Sequence, residues 1–240
     1  MKTVLTAVQR FFFRDTTAVF LVAALFSSYA TVIALVYHNS SGFTPSTIPA
    51  VRISQSPVDL SRQFRSQVSF VSNIIKSHAP ALSSHEQLAK LIVEESARAA
   101  VDPLFVAAVI RSESRFRAGA MSHRGARGLM QLMPDTAHYV SKRENIRVSS
   151  LNDPSTNIRL GIAYLKYLEK MFNGDRERMF IAYNWGPANM SQSLRGKRTP
   201  PRQSVNYARE IMKQHRQWKS SLQEVAFNEA PLATVRAMLG

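Results

Sequence analysis

DPLFVAAVIRSESRFRAGAMSHRGARGLMQLMP, residues 102–134, decides how the rest of this chain is read. It opens with a helix start, Asp102 as N-cap and Pro103 at the first helical position, and predicts a helix to about Phe116. At 100° per residue, Glu113 falls inside the arc of Phe105, Val106, Val109, Ile110 and Phe116, with Arg111 and Arg115 opposite. The spacing thus sets a carboxylate on the apolar face of an amphipathic helix, near its C-terminal end. Desolvation and the negative end of the helix dipole both disfavour its charge. Both push its pKa upward, as a general acid near neutral pH requires. The competing reading is a helix-end carboxylate that pairs with Arg117 or reaches water. Gly119, Gly125 and Gly128 then mark a turn-rich segment, and Gln131 lies between two methionines before the break at Pro134. Methionines make an adaptable groove wall, and a glutamine amide both donates and accepts.

These residues resemble the catalytic domain of the soluble-type lytic murein transglycosylases, the SLT domain with its lysozyme-like fold. ESRF (113–116), Ser122, GARGLMQLMP (125–134), NDPSTNIRLGIAYL (152–165), AYNWGP (182–187) and PP…NYAREI (200–211) follow in the family's order. The likeness covers residues 85 to 218, and several ordered motifs are far more specific than any one alone. It implies an enzyme cutting the β-1,4 bond between N-acetylmuramic acid and N-acetylglucosamine without water, leaving 1,6-anhydromuramoyl ends. Glu113 would be acid and then base. Tyr183 and Asn184 would face it, with the Tyr183 hydroxyl orienting the carboxyl. Ser122, Gln131 and Met133 would line the cleavage point, with Tyr164 and Tyr207 nearby, although ordinary amphipathic packing also explains the tyrosines. The chain departs from the family pattern at Arg115, where glycine is common, at Arg127, and at Trp185, where alanine is common. Trp185 could stack on a sugar ring or narrow the groove.

A hydrolase would need a second carboxylate about 5–9 Å from the first. Asp102, Asp135, Asp153 and Asp175 all sit at helix starts, where capping accounts for them. Glu94 and Glu95, on a helix with Lys90 and Arg98, read as solvated surface charges. The six histidines have no metal-ligand spacing and no glycine-rich phosphate loop occurs, so no cofactor and no metal are expected. A hydrolytic muramidase and a non-catalytic wall-binding module of an envelope-spanning apparatus are the rival readings.

Composition supplies the setting. The 240 residues carry 31 Lys+Arg against 16 Asp+Glu, a net +15, and no cysteine. Such an excess suits a polyanion or an anionic surface. Residues 16–37, TTAVFLVAALFSSYATVIALVY, are uncharged and would span about 33 Å as a helix, enough for a bilayer core. Lys2, Arg10 and Arg14 precede them, so the N-terminus is expected to stay cytoplasmic and the rest to be exported. Cleavage after Ser28-Tyr29-Ala30 is the alternative, but it would leave an apolar new terminus. Without residues 1–40, which hold three basic residues and one acidic, the excess is still +13. An exported cationic part points to the peptidoglycan strands of the cell wall, whose muropeptide carboxylates are anionic, or to the outer face of the inner membrane, rather than to nucleic acid. Envelope machinery proteins are further candidate partners.

The expected organisation is a cytoplasmic N-terminus (1–15), a single-pass inner-membrane anchor (16–37), a flexible linker (38–57) and an amphipathic helix (58–80). A catalytic domain (81–219) and a C-terminal tail (220–240), with a short helix at 231–239, follow. Leu60, Phe64, Val68, Val71 and Ile75 form one stripe, for packing on the domain or for contact with a membrane or partner. Ser83 with Glu86, or Ser84 with Gln87, reads as a capping box. Further helices are expected from Pro134, Asp153 and Asp175 and over about 203–218. No stretch alternates over a strand's length, so the expected fold class is all-α, with at most a trivial hairpin.

Overall fold

The computed structural model describes residues 57–228, so the anchor at 16–37, the linker and the short helix at 231–239 lie outside the described residues. Eight helices make up this region: α1 Pro57–His78, α2 His85–Ala99, α3 Pro103–Ser114, α4 Pro134–Glu144, α5 Pro154–Met171, α6 Arg176–Trp185, α7 Pro187–Leu194 and α8 Arg202–Asn228. The only extended pairing among them is two isolated antiparallel bridges, Met121 with Arg127 and Arg127 with Leu132. No described helix is long and apolar enough to cross a membrane.

Local chemistry explains most boundaries. Asp102, Asp153 and Asp175 each accept a backbone N–H of the following turn, from Leu104, Thr156 and Arg178, and proline follows the first two. The expected capping box does not form: Ser84 is the N-cap of α2, but its side chain makes no capping bond. Gly186-Pro187 does more than stop α6. Proline at N1 is also a helix start, and α7, which the sequence did not suggest, begins there. At the other end α8 runs on through the expected boundary at 219 to Asn228.

α3 is the centre. Leu104 through Ile110 are buried without interruption, so this helix is enclosed on all sides rather than amphipathic, as an all-round apolar helix must be. It packs against α2, α8 and α1, while α5 bridges α2, α4 and α6. Val71, Ile74 and Ile75 seat α1 in the same core, whereas Leu60 near its start is 52% exposed. The stripe of α1 therefore serves packing from Phe64 onward. α3 ends at Ser114, short of Phe116, because Arg115 (φ 51°) and Phe116 (φ 63°) are both left-handed. Its last turn carries Glu113 out of the core to the edge where the turn-rich segment begins.

Candidate active site

Glu113 is part-buried, and the Tyr207 hydroxyl donates to its Oε1 at 2.6 Å. Burial raises its carboxyl to about 7, against the opposing pull of the Tyr207 bond, and no neighbouring carboxylate contributes. The sequence anticipated the direction and, of the two causes it offered, burial. Arg117, the alternative partner, instead donates to the Ser114 carbonyl at 3.0 Å. The sequence named the wrong tyrosine as orienting group: the Tyr183 hydroxyl donates to the Met130 carbonyl at 2.8 Å. Tyr183 remains close enough for the Glu113 charge to act on it. Burial first, then that charge, holds the phenols of Tyr183 and Tyr207 well above their ordinary value. Tyr164 packs on Tyr183 with ring centres 5.3 Å apart, and burial pushes its phenol up to about 12. Tyr207 thus meets Glu113 as a neutral donor, with Tyr183 behind it and Tyr164 packed on Tyr183.

The segment between Arg115 and Met133 is pinned by one side chain that sequence reasoning passed over. Asn157, fully buried on α5, accepts from Met130 N at 2.7 Å and donates to the carbonyls of Arg127 (3.0 Å) and Leu151 (2.8 Å). A buried amide with both N–H groups donated and its oxygen accepting is a rigid staple. Gly128 is required beneath it: at φ +79° any Cβ would stand 2.2 Å from Asn157 Nδ2 and from the Leu151 carbonyl oxygen. Only its place inside NDPSTNIRL pointed to Asn157.

Of the expected groove residues, Ser122 and Gln131 are occupied internally. Ser122 Oγ accepts from Ala126 N at 3.0 Å, and Gln131 Nε2 donates to the carbonyls of Ala120 and Gly128 at 3.0 and 2.9 Å. Met133 is 42% exposed at the entrance to α4. Asn184 is exposed and accepts from the Ser204 hydroxyl at 2.8 Å. Trp185 is half-buried, with the Arg198 guanidinium 5.8 Å from its ring centre and its carbonyl accepting from Asn189. The ring is engaged by Arg198, which also binds Asn189 Oδ1.

Asp102 and Asp153 are occupied by capping, as is Asp175; Asp135 lies in the first turn of α4, whose N-cap is Met133. Glu95 overturns the expectation of a surface charge: it is only 3% exposed and binds Arg159 at two points and Arg98 at 2.6 Å. Glu94 does lie near the surface, beside Lys90 at 3.9 Å. Among the described residues no cluster of three metal-ligating side chains occurs.

Residues 90–206 match the family model of the Transglycosylase SLT domain. The SLT match contains Glu113, Asn157, Tyr183 and Asn184 and ends one residue before Tyr207. Over 90 residues, 36% of this chain and 14% of the relative, the sequence is 39% identical to the soluble lytic murein transglycosylase of Escherichia coli K12. Over 84 residues, 32% of this chain, it is 43% identical to the endo-type membrane-bound lytic murein transglycosylase A of Klebsiella pneumoniae, covering 41% of it. The lytic transglycosylase Slt of Pseudomonas aeruginosa, solved as an inactive Glu-to-Gln mutant, matches with a TM-score of 0.51 at 27% identity, over 67% of this chain and 30% of that one. The chain therefore spans only a minor part of the length of these relatives.

Proposed function

We propose that this chain is a lytic murein transglycosylase acting on peptidoglycan glycan strands. The observation that carries the reading is Glu113 at the open end of the central helix, its carboxyl raised to about 7 by burial, held by one phenol, with no second carboxylate among the described residues acting on it. Such a group suits a reaction in which one residue serves as acid and then as base. The Glu113 proton passes to the glycosidic oxygen between N-acetylmuramic acid and N-acetylglucosamine as the C1–O bond breaks. The substrate's own N-acetyl oxygen stabilises C1. The resulting carboxylate then takes the C6 hydroxyl proton, O6 bonds to C1, and a 1,6-anhydromuramoyl end leaves with Glu113 protonated again. Tyr207 holds the carboxyl through both steps. Met133, Asn184 and Trp185 would meet the strand, while Ser122, Gln131, Tyr164 and Tyr183 shape the groove through their internal contacts. The relatives named as lytic murein transglycosylases support this reading.

In the same reading residues 16–37 anchor the chain in the inner membrane with the catalytic part in the periplasm. Envelope machinery is then a further candidate partner. Recovery of a soluble mature form starting near Thr31 would end that part.

Mass spectrometry of digested sacculi tests the activity. Anhydro ends are expected. Reducing ends would make the protein a muramidase, and no released fragments would make it a wall-binding module.

A further inference from the structure

Three polar side-chain contacts tie α3 and its N-cap to α8, in antiparallel order along both helices. Asp102 meets His215 at 2.8 Å, Arg111 meets Glu210 at 3.4 Å, and Glu113 meets Tyr207 at 2.6 Å. The middle contact is a partly exposed ion pair and holds little. The first is built differently. His215 is 6% exposed, and its ring lies flat on Phe105 with centres 3.5 Å apart and planes within 4°. Its partner Asp102 caps α3 by accepting Leu104 N–H at 2.9 Å, and Lys219, one turn further along α8, adds positive charge near the same carboxylate. His215 thus grips both the cap and the first turn of the helix that ends in Glu113.

We propose that His215 is a positioning residue for Glu113: its bond to Asp102 fixes the axial register of α8 on α3, and that register sets Tyr207 on the Glu113 carboxyl. Eight residues separate His215 from Tyr207, about 12 Å of helix rise, a span over which a helix moves as one piece. A hydroxyl contact of 2.6 Å is near the short limit for its kind, so a slide of about 1 Å takes it out of the best range. The groups acting on Glu113 are Tyr207 from α8 and Tyr183 from α6. Loosening Tyr207 leaves the carboxyl buried with less to stabilise its charge, so it must hold its proton more tightly. The catalytic part of this inference rests on the function proposed above; the register does not.

The test uses the full chain labelled with carboxyl-¹³C glutamate, the Glu113 resonance being assigned by its loss in Glu113→Gln. Titrations compare wild type with His215→Phe, which keeps a ring on Phe105 but has no N–H, and with His215→Gln, which restores a donor. His215→Phe is expected to raise the Glu113 midpoint by about half a unit or more, and His215→Gln to return it most of the way. On sacculi, His215→Phe is expected to lower kcat about tenfold with little change in KM. In a Tyr207→Phe background it should add almost nothing, because the contact it serves is already gone. An unchanged midpoint in folded His215→Phe, or losses that multiply in the double variant, would overturn the proposal. If His215→Phe does not fold, Asp102→Asn, which keeps a capping oxygen, puts the same question from α3. A wild-type chain that releases no anhydromuropeptide would refute the function, while the titration would still decide the register.

Discussion

Glu95 and Glu113 are both withdrawn from water, on helices α2 and α3 that pack together, and their surroundings drive them in opposite directions. At Glu95, burial pushes the carboxyl up, but the bonds and charges of Arg159 and Arg98 outweigh it and hold it below the ordinary range. At Glu113 the only opposing contact is a neutral phenol, and burial wins. A cavity of about 810 Å³ opens beside Glu95, lined also by Arg98, Arg159, Lys166 and Tyr167, so room for a ligand does not single out the acid. The difference teaches that desolvation makes a proton donor only where no cation answers it. With two arginines the same burial makes a structural ion.

The largest effect that could break this contrast is on activity. Glu113→Gln is expected to reduce anhydromuropeptide release about 10²–10⁴-fold with helicity retained; retention of more than about a tenth would remove Glu113 from the mechanism. The contrast also appears in stability. Because the folded carboxyl titrates at about 7 rather than the ordinary 4.5, the folded state keeps a proton that the unfolded chain loses between those values. Stability from this group is present below about pH 4.5 and is lost as pH rises to about 7. Glu113→Gln should therefore gain on wild type, by up to about 3 kcal/mol, between about pH 5 and 8. Denaturant melts at the two pH values measure it, and a pH-independent difference would contradict the assignment.

Tyr207→Phe comes next, with a loss of about tenfold in rate and a Glu113 midpoint above its present value. Tyr183→Phe should leave that midpoint nearly where it is and lower stability by about 1 kcal/mol through the bond to Met130. Reversal of these two outcomes would restore the assignment the sequence suggested. Glu95→Gln should lower stability by about 2 kcal/mol, since both arginines lose a charged partner but keep part of their hydration, and should leave activity close to wild type. The smallest effect is expected for Glu94→Gln, within about 0.5 kcal/mol by thermal melts.

What could be read from the sequence was what is decided within a few residues. Asp102, Asp153 and Asp175 cap helices because their partners lie two or three positions on. Glu113 stood out because an acid inside an apolar run is costly wherever the run packs. Which hydroxyl reaches it was not legible: Tyr207 lies 94 residues away, and the answer depends on how α8 lies along α3. Glu95 was misjudged for the same reason, since Arg159, 64 residues on, turns an apparent surface charge into a buried one. Arg115 shows the converse. Its backbone is left-handed, at φ 51°, a conformation that glycine adopts without strain and that arginine holds at a modest conformational cost.

Gly161 sits on the buried side of α5, where an added Cβ would lie 2.1 Å from Met130 Sδ, and the Met130 carbonyl in turn receives the Tyr183 hydroxyl. Positions 130, 161 and 183 are thereby coupled in space. A methyl group gained at 161 would be felt at the groove through a sulfur and a carbonyl, and would call for a smaller side chain at 130.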